Sequence, residues 1–436
     1  MKKSLIALAA VAAVGAASAQ SSVTLYGVVD AAYNNLSATN AGSLSRVTGN
    51  GSNQSSRIGF RGVEDLGGGL KASFVLEAGI NVDNGTGANT TSNNMTLAQS
   101  ATTGSGTAGA NPFTGNASSS AAGQQGLTFN RRSTISLEGA FGEVRLGRDL
   151  TPTFLNLSAY DPFGAVGVGA ATNVVLGTLN PIGVSVAPPG SAKATVRASN
   201  SVQYFSPNFA GFRAGVMYSF SESPSNCTAL GNAGNPGSGA STLNSCPGAA
   251  GDGKYLGFRG VYSNGPISAA IAFGKNSFNA GNAANPPAGL LAGGVPFRGD
   301  GNIMNLGASY NFGVATAMAQ YGTMKQQANL NQAVATDQKL THYLLGVSVP
   351  MGAGEIKASY NWGKLDRNAT AAENDRRQTQ LALGYVHNLS KRTALYTSYG
   401  QMKNDRNVAN RAGGAALVTP LGNTSKLFNV GVRHMF

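Results

Sequence analysis

The sequence predicts an all-β protein, a closed antiparallel β-barrel of 16 transmembrane strands. Short segments with apolar residues at every second position recur along the chain, which is typical of strands with one apolar and one polar face. The connections between them alternate between short turns and long polar loops, as they do in outer-membrane barrels. Only helices and closed barrels satisfy every backbone N–H and C=O group in lipid. After the N-terminal segment, the chain contains no apolar run of about 18 residues that could form a membrane helix.

Composition excludes several other classes. The chain has 436 residues, of which 42% are hydrophobic, 11% are charged and 60 are glycine. It is too aromatic for a disordered tail and too poor in Leu, Glu, Lys and Arg for a coiled coil. The soluble alternative is a giant β-sandwich or propeller, whose core would need Leu, Ile and Phe on the apolar faces. Many of those positions are Ala or Gly, and aromatic residues recur near strand ends, so the barrel is favoured.

The first 19 residues read as a signal peptide. Lys2 and Lys3 precede an apolar run, and Ala17-Ser18-Ala19 forms a cleavage site. The alternative is an N-terminal membrane anchor, although the run of thirteen residues from Leu5 to Ala17 is short for a span. We therefore expect residues 1–19 to be removed and residues 20–436 to form one barrel domain that begins at Gln20. The mature chain would carry 29 basic and 18 acidic residues, a net charge of +11.

Alternation and turn residues place each strand in order. The first strand puts Val23, Leu25 and Val29 on one face and Thr24 and Asp30 on the other. Turn residues then separate successive pairs, as in 64–69, 206–211, 263–266, 350–354 and 388–392. Eight long connections and seven short ones imply strands at 22–33, 55–63, 70–82, 127–138, 142–148, 195–205, 212–221, 253–263, 267–275, 302–312, 314–325, 340–349, 355–364, 377–387, 393–402 and 425–436.

The last strand carries the most specific pattern. Phe428, Val430, Val432, His434 and Phe436 occupy every second position. An alternating strand that ends on an aromatic residue is the signal that the outer-membrane insertion machinery reads. We therefore expect Phe436 to be required for assembly and to lie beside the start of the mature chain where the barrel closes.

Ordered sequence blocks carry a resemblance to a known family. Residues 20–30 and 430–436 resemble the trimeric Gram-negative porins, most of all those of the β-proteobacteria, and so do the blocks 56–67, 142–148, 200–207 and 389–393. The resemblance spans the whole mature chain. It implies a homotrimer in the cell outer membrane, in contact with outer-membrane lipids and lipopolysaccharide, with a third long loop folded into the barrel as a constriction.

The same resemblance places charged residues at that constriction. It implies loop acids at Asp149 and Asp161 facing basic wall residues, which are Arg57, Arg131, Arg148 and Arg197, joined by Arg61 and Lys71 on inward strand faces. Alternation puts Arg131 on the side of Phe129, so either a bulge changes the phase or Arg132 is the inward residue. Alternatively, these arginines bind loop carbonyls or lie in the trimer interface. A cationic ring in a narrow aqueous pore concentrates anions.

Little in the sequence supports chemistry at a catalytic or metal site. His342, His387 and His434 lie on separate predicted strands, and the chain has no Gly-x-Ser-x-Gly segment and no Cys/His metal spacing. We therefore expect no enzyme activity, no cofactor and no metal. Cys227 and Cys246 share one polar loop of an exported chain and could form a disulfide, with free thiols as the alternative.

Basic residues beside the exterior loops raise the question of nucleic-acid binding. In an exported barrel, we expect these basic residues either to be solvated or to contact lipopolysaccharide phosphates. The residues are Lys364, Arg367, Arg376, Arg377, Lys403, Arg406 and Arg411. The sequence thus predicts an outer-membrane channel for passive diffusion of small hydrophilic solutes and ions, with anions favoured. The rivals are a channel specific for phosphate or an organic acid, a barrel acting through its loops in adhesion or phage attachment, and an outer-membrane hydrolase.

Overall fold

The chain folds into a closed antiparallel β-barrel. The computed structural model describes residues 22–88, 126–176, 196–221, 253–279, 298–329, 338–367, 376–405, 408, 410–414 and 421–436. Consecutive wall strands pair with each other, and the first strand pairs with the last. The predicted fold class is therefore confirmed. No helix among the described residues is long and apolar enough to cross a membrane.

Sixteen of the eighteen strands form the wall, and β2 and β5 are short additions within the first two long connections. The strands are β1 (Ser22–Ala38), β2 (Gly42–Thr48), β3 (Arg57–Gly67), β4 (Leu70–Asn81), β5 (Thr86–Gly87), β6 (Arg132–Gly139), β7 (Gly142–Leu150), β8 (Arg197–Phe205), β9 (Phe212–Ser219), β10 (Tyr255–Asn264), β11 (Ile267–Asn279), β12 (Arg298–Asn311), β13 (Thr316–Asn329), β14 (Gln338–Met351), β15 (Gly354–Arg367), β16 (Arg376–Asn388), β17 (Thr393–Asn404) and β18 (Thr424–Met435). The described parts of the connections contain two helices, α1 (Pro152–Ala159) and α2 (Ala171–Val175), and a short 3₁₀ helix, η1 (Ala412–Gly414).

Most strand positions follow the alternation pattern, and two stretches differ. The sequence analysis expected the first connection to be loop from residue 34. In the structure, β1 continues to Ala38 and the chain then returns as β2. β2 pairs with the later residues of β1, on the same edge whose earlier residues pair with β3. The fourth wall strand, β6, begins at Arg132 and not at residue 127. Just before it, the Asn130 side-chain amide accepts a hydrogen bond from the Gly79 N–H and donates one to the Ala88 carbonyl. These contacts draw the backbone out of the regular strand pairing.

The barrel closes at the last residue. The Gly27 N–H donates to the Phe436 carbonyl at 3.0 Å, and the Phe436 N–H donates back to the Gly27 carbonyl at 3.1 Å. This exchange continues the ladder in which Ala31 faces Val432. Gln20 itself lies outside the described residues.

The two faces of the wall differ as alternation requires. Large apolar side chains such as Leu25, Ile135 and Leu383 are exposed on the outer face, which fits a surface that meets lipid. The inward positions of β15 and β16 instead carry buried polar residues, including Asn361 and Gln380. These polar residues are buried because a long connection covers them inside the barrel.

That covering segment is the third long connection, which confirms the inward-folded loop. Thr151 caps α1 by accepting the Phe154 N–H at 3.3 Å, and Pro152 begins the helix. α1 packs against β10, β11 and β12, and α2 packs against β14, β15 and β16. Apolar contacts hold the segment on the wall, and the buried residues involved are Leu157, Ala171, Val175, Ile303, Met324, Leu340, Leu344 and Leu365.

Inward amides anchor the same segment through its backbone. The Gln320 amide donates to the Leu157 carbonyl at 2.8 Å, and the Gln378 amide donates to the Val174 carbonyl at 2.9 Å. The Ser359 hydroxyl donates to the Gly169 carbonyl, also at 2.8 Å. Buried backbone groups need such partners, so the polar face of the wall fixes the path of the loop.

Candidate pore constriction

Four neighbouring wall strands bring charged side chains to one side of the interior. In the β3–β4–β6–β7 ladder, Gly59 faces Glu77, Glu77 faces Arg132, and Ser136 faces Arg145. Directly paired residues point to the same face of a sheet. Their neighbours Phe60, Ile135 and Leu146 are exposed on the outer face, so the charged residues point inward.

Glu77 is the centre of one group of contacts. Its carboxylate accepts the Arg131 Nε–H at 2.6 Å and lies 3.5 Å from the Arg57 Nε. The Tyr26 hydroxyl donates to it at 3.1 Å. One carboxylate is thus shared by two guanidinium groups, which leaves the group with an excess positive charge.

Asp149 is the centre of a second group. Its Oδ2 lies 2.6 Å from the Arg145 Nη1 and 3.3 Å from the Arg132 Nε. Arg145 also pairs with Glu143 at 2.8 Å. Asp149 follows a bulge at Gly147, where φ is +118° and a side chain would be strained. The bulge lets Asp149 reach the arginines of its own wall.

Arg131 and Arg132 both reach the interior, although they are adjacent in sequence. Arg132 is at an inward position of β6. Arg131 precedes the regular strand, where its N–H donates to the Glu77 carbonyl at 3.1 Å and its side chain follows to the Glu77 carboxylate. The change of phase and the inward Arg132, which the sequence analysis left as alternatives, therefore occur together.

Arg148 and Arg197 make contacts of a different kind. The Arg148 guanidinium donates to the Asn130 carbonyl at 2.7 Å and to the Ser199 hydroxyl at 2.6 Å. Arg197 donates to the Arg131 carbonyl at 2.8 Å. The contacts with the Asn130 and Arg131 carbonyls are of the kind named above as an alternative to pore lining. They hold the chain on either side of Arg131 in place, while any direct part in the channel stays a prediction.

Arg61 and Lys71 share the inward face, nearer to the end of the barrel that carries the short turns. Arg61 lies over the Tyr26 ring, 5.4 Å from its centroid. Lys71 is exposed and pairs in register with Asp65 and Glu138, next to the short β3–β4 turn. Both residues lie between the Glu77 group and the end of the barrel that carries the short turns.

Asp161 departs from the expectation that it faces the pore. It is only 4% exposed, and its carboxylate accepts the N–H groups of Phe163, Ala165 and Ala171 at 2.8, 3.1 and 2.8 Å. Burial raises the pKa of Asp161 to about 6, and the three N–H donors oppose that shift. Asp161 organises the third loop from within, because its carboxylate is the acceptor that the loop backbone lacks.

A second segment also enters the barrel. The fully buried Asp30 carboxylate accepts the N–H groups of Asn53 and Gln54 at 3.1 and 2.6 Å, and the Tyr396 hydroxyl also donates to it. This holds residues 49–56 inside the wall. Gly167 of the third loop lies so close to the Ser52 carbonyl that a Cβ at this position would overlap it. The two inward segments therefore touch.

Alternation contains a signal for several residues that the sequence analysis did not single out. Glu77 has the same parity as Lys71 on β4, and Arg145 has the same parity as Glu143 on β7. The contacts of Tyr26 and Asp30 could not be found this way, because their partners come from distant strands and a loop.

The described residues contain no candidate metal site. Within them, no group of three His, Cys, Asp or Glu side chains could hold a metal ion. His342 is buried, whereas His387 and His434 contact Tyr385 and Thr393 on other parts of the wall. Cys227 and Cys246 lie outside the described residues, so the disulfide stays a prediction.

Comparisons with known proteins agree with this geometry. Residues 5–407 match the Gram-negative porin family. The chain is 38% identical over 442 residues to outer membrane porin protein 32 of Delftia acidovorans, covering 100% of both. It is 29% identical to an outer membrane porin protein of Bordetella pertussis, covering 93% of this chain and 95% of the relative.

A similar solved structure is the anion-selective porin from Comamonas acidovorans. It has 34% sequence identity and a TM-score of 0.67, with 96% of this chain and 100% of that chain covered. OmpT of Vibrio cholerae, at 14% identity, 95% and 98% coverage and a TM-score of 0.59, shares the fold. A closed barrel with an inward third loop, a family match over most of the chain and a relative aligned end to end together show that this chain belongs to the Gram-negative porin family, whose members form channels in the outer membrane.

Proposed function

We propose that this porin is a passive diffusion channel that favours anions, and not an enzyme. The observation that carries the proposal is the charge balance of the inward cluster on β3 to β8. Its three carboxylates are Glu77, Glu143 and Asp149, and the four guanidinium groups paired with them belong to Arg57, Arg131, Arg132 and Arg145. Arg148 and Arg197, which bind the carbonyls of Asn130 and Arg131, add two further positive charges beside them. An excess of cations inside a narrow, low-dielectric lumen raises the local concentration of anions.

The opposite side of the interior supports the same preference. The third loop presents Leu157, Val174 and other apolar residues to the wall, and Asp161 is turned into the loop. A row of loop carboxylates facing the arginines would offset their charge and attract cations. Because Asp161 is withdrawn, the arginines act with fewer opposing charges. The name of the similar Comamonas structure points in the same direction.

Two further parts of the proposal rest on sequence. The blocks that resemble trimeric porins support a homotrimer, which chemical crosslinking in detergent would test. The A-x-A site supports cleavage after Ala19, and intact-mass measurement of the purified protein would test it.

Ion selectivity gives the decisive experiment. The reversal potential of single channels is measured in a planar bilayer with a KCl gradient, for the unchanged porin and for the double variant Arg57→Ser with Arg131→Ser. We expect anion preference in the unchanged channel. The variant should shift strongly towards cations, because Glu77 then keeps its charge without either guanidinium partner.

The matched control removes two cations from outside the lumen. Lys391→Ser with Arg392→Ser changes the exposed turn between β16 and β17 by the same charge. We expect a much smaller shift, since exposed charges are screened within about 8 Å at physiological salt. Cation preference in the unchanged channel, or equal shifts from both double variants, would refute the proposal.

A further inference from the structure

Residues 49–56 connect β2 to β3 inside the barrel, and we name them the second inward segment. Three neighbouring strands hold this segment against the wall. Asp30 of β1 accepts the Asn53 N–H at 3.1 Å, and the Tyr396 hydroxyl of β17 donates to the same carboxylate. On β18, the Arg433 guanidinium donates to the Asn53 side-chain carbonyl at 2.9 Å. The segment therefore covers the inner face of β17, β18 and β1.

Both ends of the second inward segment are fixed as well. The Val82 N–H donates to the Gly49 carbonyl at 3.3 Å, and the Ile80 N–H donates to the Ser56 carbonyl at 3.1 Å. The Ser56 hydroxyl donates to the Asp30 carbonyl at 3.1 Å and accepts the Asp30 N–H at 2.9 Å. These contacts tie the ends to β1 and to the chain around the end of β4, so the segment has a defined path across the interior.

The segment also joins the two sides of the constriction. The Ser55 carbonyl accepts a hydrogen bond from Arg57 Nη1 at 2.9 Å, and Arg57 belongs to the Glu77 group. The Ser52 carbonyl lies against Gly167 of the third loop, where a Cβ would come within 2.3 Å of it. Backbones approach this closely only where one residue is glycine. The segment therefore fills the corner between the arginines and the third loop.

A small cavity remains between the second inward segment and the third loop. It has a volume of about 10 Å³, and its lining includes Ser52, Asn53, Phe163 and Tyr396. A cavity of that size holds about one water molecule. Hydrated ions and sugars cannot use this gap, which leaves them the side of the segment that faces the arginines.

We propose that the second inward segment is a further constriction element, which limits the width of the aperture together with the third loop, and that Asp30 is the residue that positions it. Asp30 is fully buried, and a carboxylate binds N–H groups more strongly than a neutral acceptor does. The segment consists of Gly, Asn, Ser and Gln, so it narrows the pore without adding charge. The width of the aperture is therefore separate from the proposed anion preference, and neutral sugars measure it independently.

Chemical modification of a cysteine in the segment tests its place in the aperture. Asn53→Cys is made in the full mature porin together with Cys227→Ser and Cys246→Ser, and single channels are recorded before and after addition of the neutral reagent benzyl methanethiosulfonate. We expect the attached ring to lower the conductance roughly twofold and to slow the entry of neutral sugars into liposomes, because it occupies the narrowest cross-section. Reduction with dithiothreitol should restore both. The matched control is Asp65→Cys, on the inward face beside the short β3–β4 turn, where the same group should change the conductance little.

A second variant, Asp30→Ala, tests the positioning role. The N–H groups of Asn53 and Gln54 then lose their acceptor, and the segment should take up more than one position. We expect the single conductance of the unchanged channel to become a set of levels. Asp65→Ala, which removes an exposed inward carboxylate, is the control and should keep one level.

The cysteine experiment decides the proposal even where Asp30→Ala does not assemble. Complete modification of Asn53→Cys, shown by mass spectrometry, without a change in conductance would refute it. So would a failure of Asn53→Cys to react, or an equal loss of conductance in Asp65→Cys. One unchanged conductance level in Asp30→Ala would overturn the role assigned to Asp30.

Discussion

At the scale of single residues, the two carboxylates Glu77 and Asp149 decide how the arginines of the interior are arranged. Each carboxylate contacts two guanidinium groups, from Arg57 and Arg131 and from Arg132 and Arg145. The arrangement keeps like charges close together while leaving part of their charge unbalanced. The carboxylates therefore hold the arginines in place and offset part of their positive charge.

Replacing Glu77 by Gln separates these two roles. Gln retains the shape and can still accept a hydrogen bond, but it removes the negative charge that Arg57 and Arg131 share. We expect the reversal potential in a KCl gradient to move further towards the anion limit. Glu138→Gln, at an exposed position near the β6–β7 turn, is the control and should change it less. If Glu77→Gln left the selectivity unchanged, the Glu77 group could not lie on the ion path.

At the scale of elements, the buried Asp161 side chain supports the shape of the third loop. Asp161 accepts three backbone N–H groups from a segment of eleven residues, 161–171. Apolar contacts and inward amides hold the segment on the wall, but they do not replace these acceptors. The fold of the loop and its attachment to the wall thus have separate causes.

Asp161→Ala tests this division. Three N–H groups would lose their acceptor, and the two buried ones, of Ala165 and Ala171, would each cost about 1–3 kcal/mol when unsatisfied. We expect the loop to loosen while the barrel still assembles, with larger current fluctuations in single-channel recordings. The control is Asp300→Ala on the outer face, which is 42% exposed. Quiet currents from the Asp161 variant, matching those of the control, would show that the loop does not depend on this carboxylate.

At the scale of the whole molecule, closure depends on the two ends of the chain. Gly27 and Phe436 exchange both backbone hydrogen bonds, and β1 and β18 continue the pairing to Ala38 and Ser425. Without this junction the sheet would have two open edges in lipid, where unpaired backbone groups are costly. Phe436 therefore takes part in the pairing that closes the wall.

Deleting Phe436 should block assembly of the porin. The truncated chain would lose the hydrogen bonds to Gly27 and the terminal aromatic side chain, which is 40% exposed on the outer face. The amount of heat-resistant folded porin in isolated outer membranes measures the effect. Phe436→Tyr keeps both the backbone and an aromatic ring and is the control. A normal yield of the truncated protein would overturn the role assigned to this residue.

Sequence alone determined the barrel, the faces of its strands and the pairing of its ends. The alternation of apolar and polar residues is a local property of each strand, and it alone decides which side chains meet lipid and which meet water. Only the tertiary structure decided which charged groups meet. The bulge at Gly147 and the irregular start of β6 bring Asp149 and Arg131 to partners that a regular alternation would not provide. The contacts of Asp161 and Asp30 were also decided by the tertiary structure. Each carboxylate accepts N–H groups of a loop whose path depends on strands distant in sequence. Sequence pattern cannot supply those contacts, because the hydrogen bonds that select them exist only once the barrel has closed around the loops.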